Sequence, residues 1–272
     1  MSEHGARYAR LAADLNAHGI AVWAHDHRGH GLTAPSPADL GHFADSNGWR
    51  LLVDDAWDVS REMMAAYPHV PIALFAHSMG SFIGQMLVSE QGRSYRAVVL
   101  CGTNGPPDVR ETVFRVLSRA QRRALGPRSP GIWIDRLLIT MFNRRFEPGK
   151  TDFDWLSRDE EEVRKYLDDC RCGFPLSAQA WFDFLHGKRR LGSDAHIDKI
   201  PKTLPIRVIA GTHDPVGEET KGVQRLLTLY TKKGLTVSCQ LYDDARHELV
   251  NEQNRRDVTK DLIDWLLPFA LP

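Results

Sequence analysis

The stretch that most constrains this chain is Ala76-His77-Ser78-Met79-Gly80, set between an apolar run over 70–75 and Ser81-Phe82-Ile83-Gly84-Gln85-Met86-Leu87-Val88. A buried strand has to end, reverse sharply and become a helix within a few residues, with Ser78 at the apex. Small residues two positions before and two after the serine let the backbone turn that tightly and leave the hydroxyl exposed at the strand end. That placement suits acyl transfer. The five-residue string alone suits an N-cap serine or a simple turn equally well; the strand before it and the helix after it set it apart.

The same alternation runs on both sides. Tyr8, Leu11, Ala12 and Leu15 recur at helical spacing, with Gly19 where a helix C-terminus favours a left-handed residue. The short apolar run over 20–24 reads as a buried parallel strand, and Leu52, Val53, Ala56, Val59, Met63 and Ala66 mark a helix closed by Pro68. After the serine turn, the next strand spans 96–101. From 108 to 200 only helical patterns and loops appear, and strands return at 206–211 and 237–242, followed by a helix over about 256–269. The expectation is an α/β fold: a mostly parallel, doubly wound sheet built from 1–107 and 201–272, with a helical cap inserted over 108–200. Ligands in such sheets bind outside the carboxyl ends of the strands.

A chain of 272 residues with 42% hydrophobic content can bury a substantial core. Its 35 basic and 35 acidic residues balance, so overall charge gives no reason to expect a nucleic-acid partner. No apolar stretch is long enough to span a bilayer. The first residues lack the charged-then-apolar pattern of a secretory leader, and Cys101, Cys170, Cys172 and Cys239 are too few and scattered for a disulfide framework. A cytoplasmic setting with reduced thiols is expected. Cys170-x-Cys172 has no second ligand pair at metal-site spacing. No phosphate-cradling or dinucleotide string is present, so no cofactor is implied.

A serine hydroxyl needs a neutral imidazole to take its proton and a carboxylate to fix the imidazole's tautomer. Asp214 directly follows the strand at 206–211, and His247 lies in the loop beyond the strand at 237–242. Asp243 and Asp244 are alternative acids, and Asp214-Pro215 also suits a turn. The chain order Ser78, Asp214, His247 is that of α/β-hydrolases, distinct from the orders of chymotrypsin-like and subtilisin-like enzymes. In that chemistry Met79 N–H, at the start of the following helix, is one oxyanion donor.

Residues 75–81, His25-Asp26-His27-Arg28-Gly29-His30-Gly31 and the segments around Asp214 and His247 together resemble the monoacylglycerol lipase and lysophospholipase-like branch of the α/β-hydrolases, which is also serine aminopeptidase S33-like. The resemblance covers nearly the whole chain. It implies hydrolysis of a small-molecule carboxylic ester with an apolar acyl group, with aminopeptidase activity as the alternative. It also implies that the 25–31 stretch is a structural loop at the mouth of the site; read without it, His25, Asp26, His27 and His30 could pass for metal ligands.

Family members carry a His-Gly-x-x-Glu-His-like segment that donates the second oxyanion N–H. Met1-Ser2-Glu3-His4 matches its latter part, which assigns that donor position to Met1. The family's first strands, two antiparallel and one parallel, lie outside this sequence. The resemblance therefore implies a sheet missing the parallel strand between 20–24 and 70–75, with exposed edges. An inactive, ligand-binding remnant is the non-enzymatic alternative. Within the insertion, the run from Ile132 to Phe146, flanked by Arg136, Arg144 and Arg145, suits an amphipathic cap helix that lines an acyl pocket or touches a lipid surface. Phe174, Trp181, Phe182, Phe184 and Leu185 add aromatic surface to it.

Overall fold

In a computed structural model that describes residues 1–270, α1 (Ala9–Ala17) and α2 (Gly48–Ala66) precede β1 (Ala73–His77), α3 (Met79–Gln91) and β2 (Ala97–Cys101). Five helices follow: α4 (Val109–Leu125), α5 (Ile132–Asn143), α6 (Glu160–Asp168), α7 (Ala178–Gly187) and the short α8 (Asp194–Ile197). The alternation then resumes with β3 (Ile206–Gly211), α9 (Lys221–Lys232), β4 (Val237–Tyr242) and α10 (Arg255–Leu266). The four strands form one parallel sheet in the order β1-β2-β3-β4.

Strand periodicity divides the core. Along β2, Val98 and Leu100 point into one apolar cluster while Ala97, Val99 and Cys101 point into the other. The first cluster takes in Leu52 and Val53 of α2, Ile83 and Leu87 of α3, and Leu226 and Tyr230 of α9. The second takes in Leu11 and Leu15 of α1 and Val258, Leu262 and Ile263 of α10. Both faces of the sheet are thus covered, as in a doubly wound fold. The 108–200 segment joins the first cluster through Ile134, Trp181 and Phe184, so its core is continuous with that of the sheet.

Two expectations need correction. Residues 20–24 form no strand: they take part in no ladder among the described residues. A strand exists only with a hydrogen-bonding neighbour, and β1 pairs on one side alone, with β2. Ile20 and Val22 instead pack against the second cluster, and Asp26 anchors the segment's end by accepting Gly5 N–H at 2.7 Å. The strand expected at 70–75 begins at Ala73, because Pro71 has no N–H to give a ladder and Val70 is exposed; Ile72 contributes only its carbonyl, to Arg96 N–H at 2.7 Å.

The close approach of α3 to β1 sets the serine turn, and it is made one helical turn later than the sequence pattern indicates. A Cβ at Gly84 would stand 2.9 Å from Ala76 Cβ, whereas one at Gly80 would meet nothing nearer than His27 Nε2 at 3.9 Å. Gly84→Val is therefore expected to lower unfolding stability by ~1–3 kcal/mol through overpacking. Gly80→Ala should change it by less than ~0.5 kcal/mol. Denaturant unfolding of the two variants checks both values, and equal effects would contradict the assignment.

Candidate active site

Ser78 joins β1 to α3 with φ 52° and ψ −123°, a left-handed conformation that costs a non-glycine residue roughly 1–3 kcal/mol. The surroundings hold it there. Ser78 N–H donates to Cys101 O at 2.9 Å, and Ser78 O accepts from Ser81 N–H at 2.8 Å and Ser81 Oγ at 2.6 Å. Ser81 Oγ also accepts from Thr103 Oγ1–H at 2.8 Å, which ties the turn to the loop after β2. Among the described residues Ser78 Oγ has no hydrogen-bond partner, and the residue lines a cavity of about 300 Å³.

Asp214 follows β3 and is completely buried. Its two oxygens each lie 3.0 Å from His247 Nδ1, and Oδ1 also accepts Val216 N–H at 2.9 Å. With Nδ1–H committed to the carboxylate, the other ring nitrogen, Nε2, is left as the proton acceptor. Asp243 and Asp244 are exposed, and Asp244 stands 3.6 Å from His213 Nε2, away from this pair. The structure thus brings Asp214 to His247 and leaves the alternative acids outside.

His247 is enclosed from several sides. The His77 and Trp155 rings lie 4.7 and 5.1 Å from it between centroids. A Cβ on Gly102, at φ +57°, would stand 2.9 Å from His247 Cε1. Its backbone N–H donates to Trp155 O at 3.4 Å, and that of Glu248 to Leu156 O at 2.7 Å, so the inserted segment itself braces the histidine loop. Glu248 carries a bidentate ion pair with Arg7, at 2.8 and 2.7 Å. Burial pushes the Glu248 carboxyl up, and Arg7 opposes that rise. His77 is held well below the usual imidazole range by burial, with the neighbouring His247 adding to the effect.

Met79 is buried at the first position of α3, where a backbone N–H has no intrahelical acceptor. Both Met79 and Met1 line the cavity with Ser78 and His247. The remaining wall is mainly apolar, with Leu138, Ile139 and Phe142 from α5 and Trp181, Phe184 and Leu185 from α7. Phe182 departs from the expectation: it stacks on His186 at 4.0 Å and under Arg122 at 4.1 Å, on the other side of its helix from Trp181 and Phe184. Along α5, Ile134 is fully buried in the core, whereas Ile132, Trp133 and Leu137 are exposed.

The possible metal ligands are otherwise engaged. His25 Nε2 lies 3.2 Å from His27 Nδ1, His30 Nε2 accepts Ser2 N–H at 3.2 Å, and Asp26 braces the Gly5 and Leu32 backbones. Burial pushes His30 down to about 3. Cys170 is exposed, while Cys172 faces His4 and Asp169, which hydrogen-bond each other at 2.8 Å.

Sequence reasoning missed Trp155 and Gly102. Trp155 sits in an insertion with no strand pattern to place it, and Gly102 reads as an ordinary turn glycine.

The sequence profile of the family described as Serine aminopeptidase, S33 matches residues 1–254. The monoacylglycerol lipase of Mycolicibacterium smegmatis is 27% identical over 276 residues, covering 98% of this chain and 85% of that protein. Human monoglyceride lipase is 27% identical over 255 residues, covering 92% and 73%. Among solved structures, a highly thermostable carboxyl esterase from Bacillus coagulans has a TM-score of 0.89 at 28% identity, covering 100% of this chain and 88% of that one.

Gly102→Ala combines an unfavourable φ with a methyl group pressed into the His247 ring. It is expected to shift the imidazole resonances of His247 in nitrogen-labelled protein and to lower stability by ~1–3 kcal/mol. Unchanged resonances would show that the ring does not rest on this glycine.

Proposed function

The chain belongs to the serine aminopeptidase S33 family, has the α/β-hydrolase fold and is a carboxylic ester hydrolase acting on lipid-type esters; on that premise we propose that it cleaves single-chain lipid esters, of monoacylglycerol or lysophospholipid type, through Ser78, His247 and Asp214. The observation that carries this reading is His247 Nδ1 held against both oxygens of the fully buried Asp214, with the imidazole facing the cavity that Ser78 lines.

Ser78 Oγ attacks the ester carbonyl as His247 Nε2 takes its proton, and Asp214 stabilises the imidazolium that forms. The carbonyl oxygen, now an oxyanion, receives Met79 N–H at the positive end of α3, with the 1–3 segment supplying the second donor at Met1. Collapse of the tetrahedral intermediate breaks the ester C–O bond, and His247 passes its proton to the departing alkoxide. Water, deprotonated by His247, then attacks the acyl-enzyme and releases the acid and free Ser78.

The apolar wall supports an alkyl chain of modest length as the acyl group. On the cap's outer side, Val109, Val113 and Val116 of α4 are strongly exposed next to Arg110 and Arg119. That face suits brief contact with the lipid surface from which substrate is drawn. Among the described residues no helix is long and apolar enough to cross a membrane. Four free cysteines suit a reducing, cytoplasmic compartment.

Ser78→Ala is expected to lower kcat/KM on p-nitrophenyl octanoate by about 10³-fold or more and to abolish labelling by a fluorophosphonate. Persistent labelling of the variant would remove Ser78 from the mechanism. Failure of the intact protein to label or turn over would favour a ligand-binding role. Faster cleavage of aminoacyl p-nitroanilides than of esters would favour an aminopeptidase.

A further inference from the structure

A chain of hydrogen-bonded side chains runs from α9 through the core to the serine turn. Tyr230 OH donates to Gln85 Oε1 at 3.5 Å, and Gln85 Nε2 donates to Thr103 Oγ1 at 3.0 Å and to the Asn104 carbonyl at 3.5 Å. Thr103 gives its own proton to Ser81 Oγ at 2.8 Å, and Ser81 Oγ–H ends on Ser78 O at 2.6 Å. All four side chains belong to residues that are buried, Thr103 and Ser81 completely. Both ends force the direction: a carbonyl oxygen only accepts, and the amide group facing Asn104 O only donates.

Folding alone gives little reason for this chain. Ser78 O already accepts Ser81 N–H at 2.8 Å, so it is satisfied without any hydroxyl. Replacing both partners of a buried hydrogen bond by apolar groups of the same shape is nearly neutral for stability. Alanine, valine and leucine at 81, 103 and 85 would occupy these places without taking polar groups out of water. What the chain reaches, and an apolar set would not, is the peptide unit between Ser78 and Met79.

The carbonyl of Ser78 and the N–H of Met79 belong to one planar trans peptide, so they point in opposite directions and turn together. Two hydrogen bonds on Ser78 O therefore fix where Met79 N–H points. They also draw electron density onto that oxygen, which strengthens the N–H as a donor, as neighbouring bonds in a hydrogen-bonded chain do. Met79 N–H is free to use that strength, because the first position of α3 has no intrahelical acceptor. We propose that Ser81 and Thr103 are positioning residues for the oxyanion donor: the hydroxyl chain ending on Ser78 O sets the direction and strength of Met79 N–H. The task of that N–H rests on the ester-hydrolase reading above.

The size of the effect follows from two magnitudes. Removing an oxyanion donor outright costs about 10²–10³ in kcat. One bond in a hydrogen-bonded chain changes the strength of the next by about 10–30%. Taken as that fraction of the logarithm, breaking the chain at Thr103 lowers the rate roughly 2- to 8-fold. Ser81→Ala, which removes the last bond itself, should cost at least as much.

The peptide can be observed by itself. Ser78-Met79 is the one serine-methionine step in the chain, so protein with serine labelled at the carbonyl carbon and methionine labelled at nitrogen gives a single carbonyl-to-amide correlation. In Thr103→Val the Ser78 carbonyl carbon is expected to move upfield, as it does when bonds to its oxygen weaken, and the Met79 amide resonance to move with it. Thr103→Ser keeps the hydroxyl and should return both toward their original positions. An unmoved correlation in folded Thr103→Val would overturn the proposal, because the chain would then not reach the peptide.

Kinetics on the same proteins supply the second readout. For ethyl octanoate, kcat/KM should fall roughly 2- to 8-fold in Thr103→Val and recover in Thr103→Ser. Inhibition by octyl ethyl ether, which fills the apolar wall but forms no oxyanion, should be unchanged in both. Loss of ether affinity in step with kcat/KM would overturn the proposal in favour of a packing role, and so would an unchanged kcat/KM. If Thr103→Val does not fold, Ser81→Ala carries both readouts, since alanine suits a helix and removes only the hydroxyl. Unmodified protein that turns over no ester would overturn the hydrolase reading and this one together; normal turnover that neither variant lowers would overturn this one alone.

Discussion

Everything at the active end of this molecule depends on burying one carboxylate. Asp214 has no solvent exposure, and a charge in that position must be met by strong, well-aligned donors. It takes the His247 imidazole at 3.0 Å on both oxygens and Val216 N–H at 2.9 Å on one. The requirement reaches outward. His247 can face Asp214 only if the loop after β4 is pinned, and that loop is pinned by the 153–156 segment of the insertion and by the Arg7–Glu248 pair from the other end of the chain. The carboxylate therefore couples the sheet, the cap and the N-terminal segment into one unit, with the imidazole oriented by all three.

The cavity beside this pair shows how an insertion becomes part of a site. Ile134, Trp181 and Phe184 are buried in the same cluster as the sheet-facing helices, so the cap has little freedom to rotate as a separate body without opening the core. Its polar seats agree: Asp183 Oδ2 accepts Gly48 N–H at 3.0 Å, and Gly41 O accepts Ser177 N–H at 2.9 Å.

Much of the architecture was legible in sequence because the relevant signals are local. The β2, β3 and β4 boundaries follow short apolar runs closed by turn residues, and the serine turn combines an apolar run, small residues and a largely buried helix start within a dozen positions. The errors have a common origin. Residues 20–24 have strand composition but no neighbour to pair with, and the tight contact at the turn belongs to Gly84 against Ala76, which are eight residues apart. Strand pairing and interatomic clearance are properties of partners, and a run of residue types does not name its partner.

Residue order along the chain is enough for the periodicity of a doubly wound parallel sheet, the turn that presents Ser78, and the succession of a serine, an acid and a histidine at strand ends. Only the folded chain brings Asp214, and not Asp243 or Asp244, to His247 and encloses the ring with Trp155 and Gly102. The difference lies in the range of the forces. Backbone propensity and hydrophobic period act over a few neighbouring residues, whereas the worth of a charge or a hydrogen bond is set by burial and by atoms that the chain brings from far away.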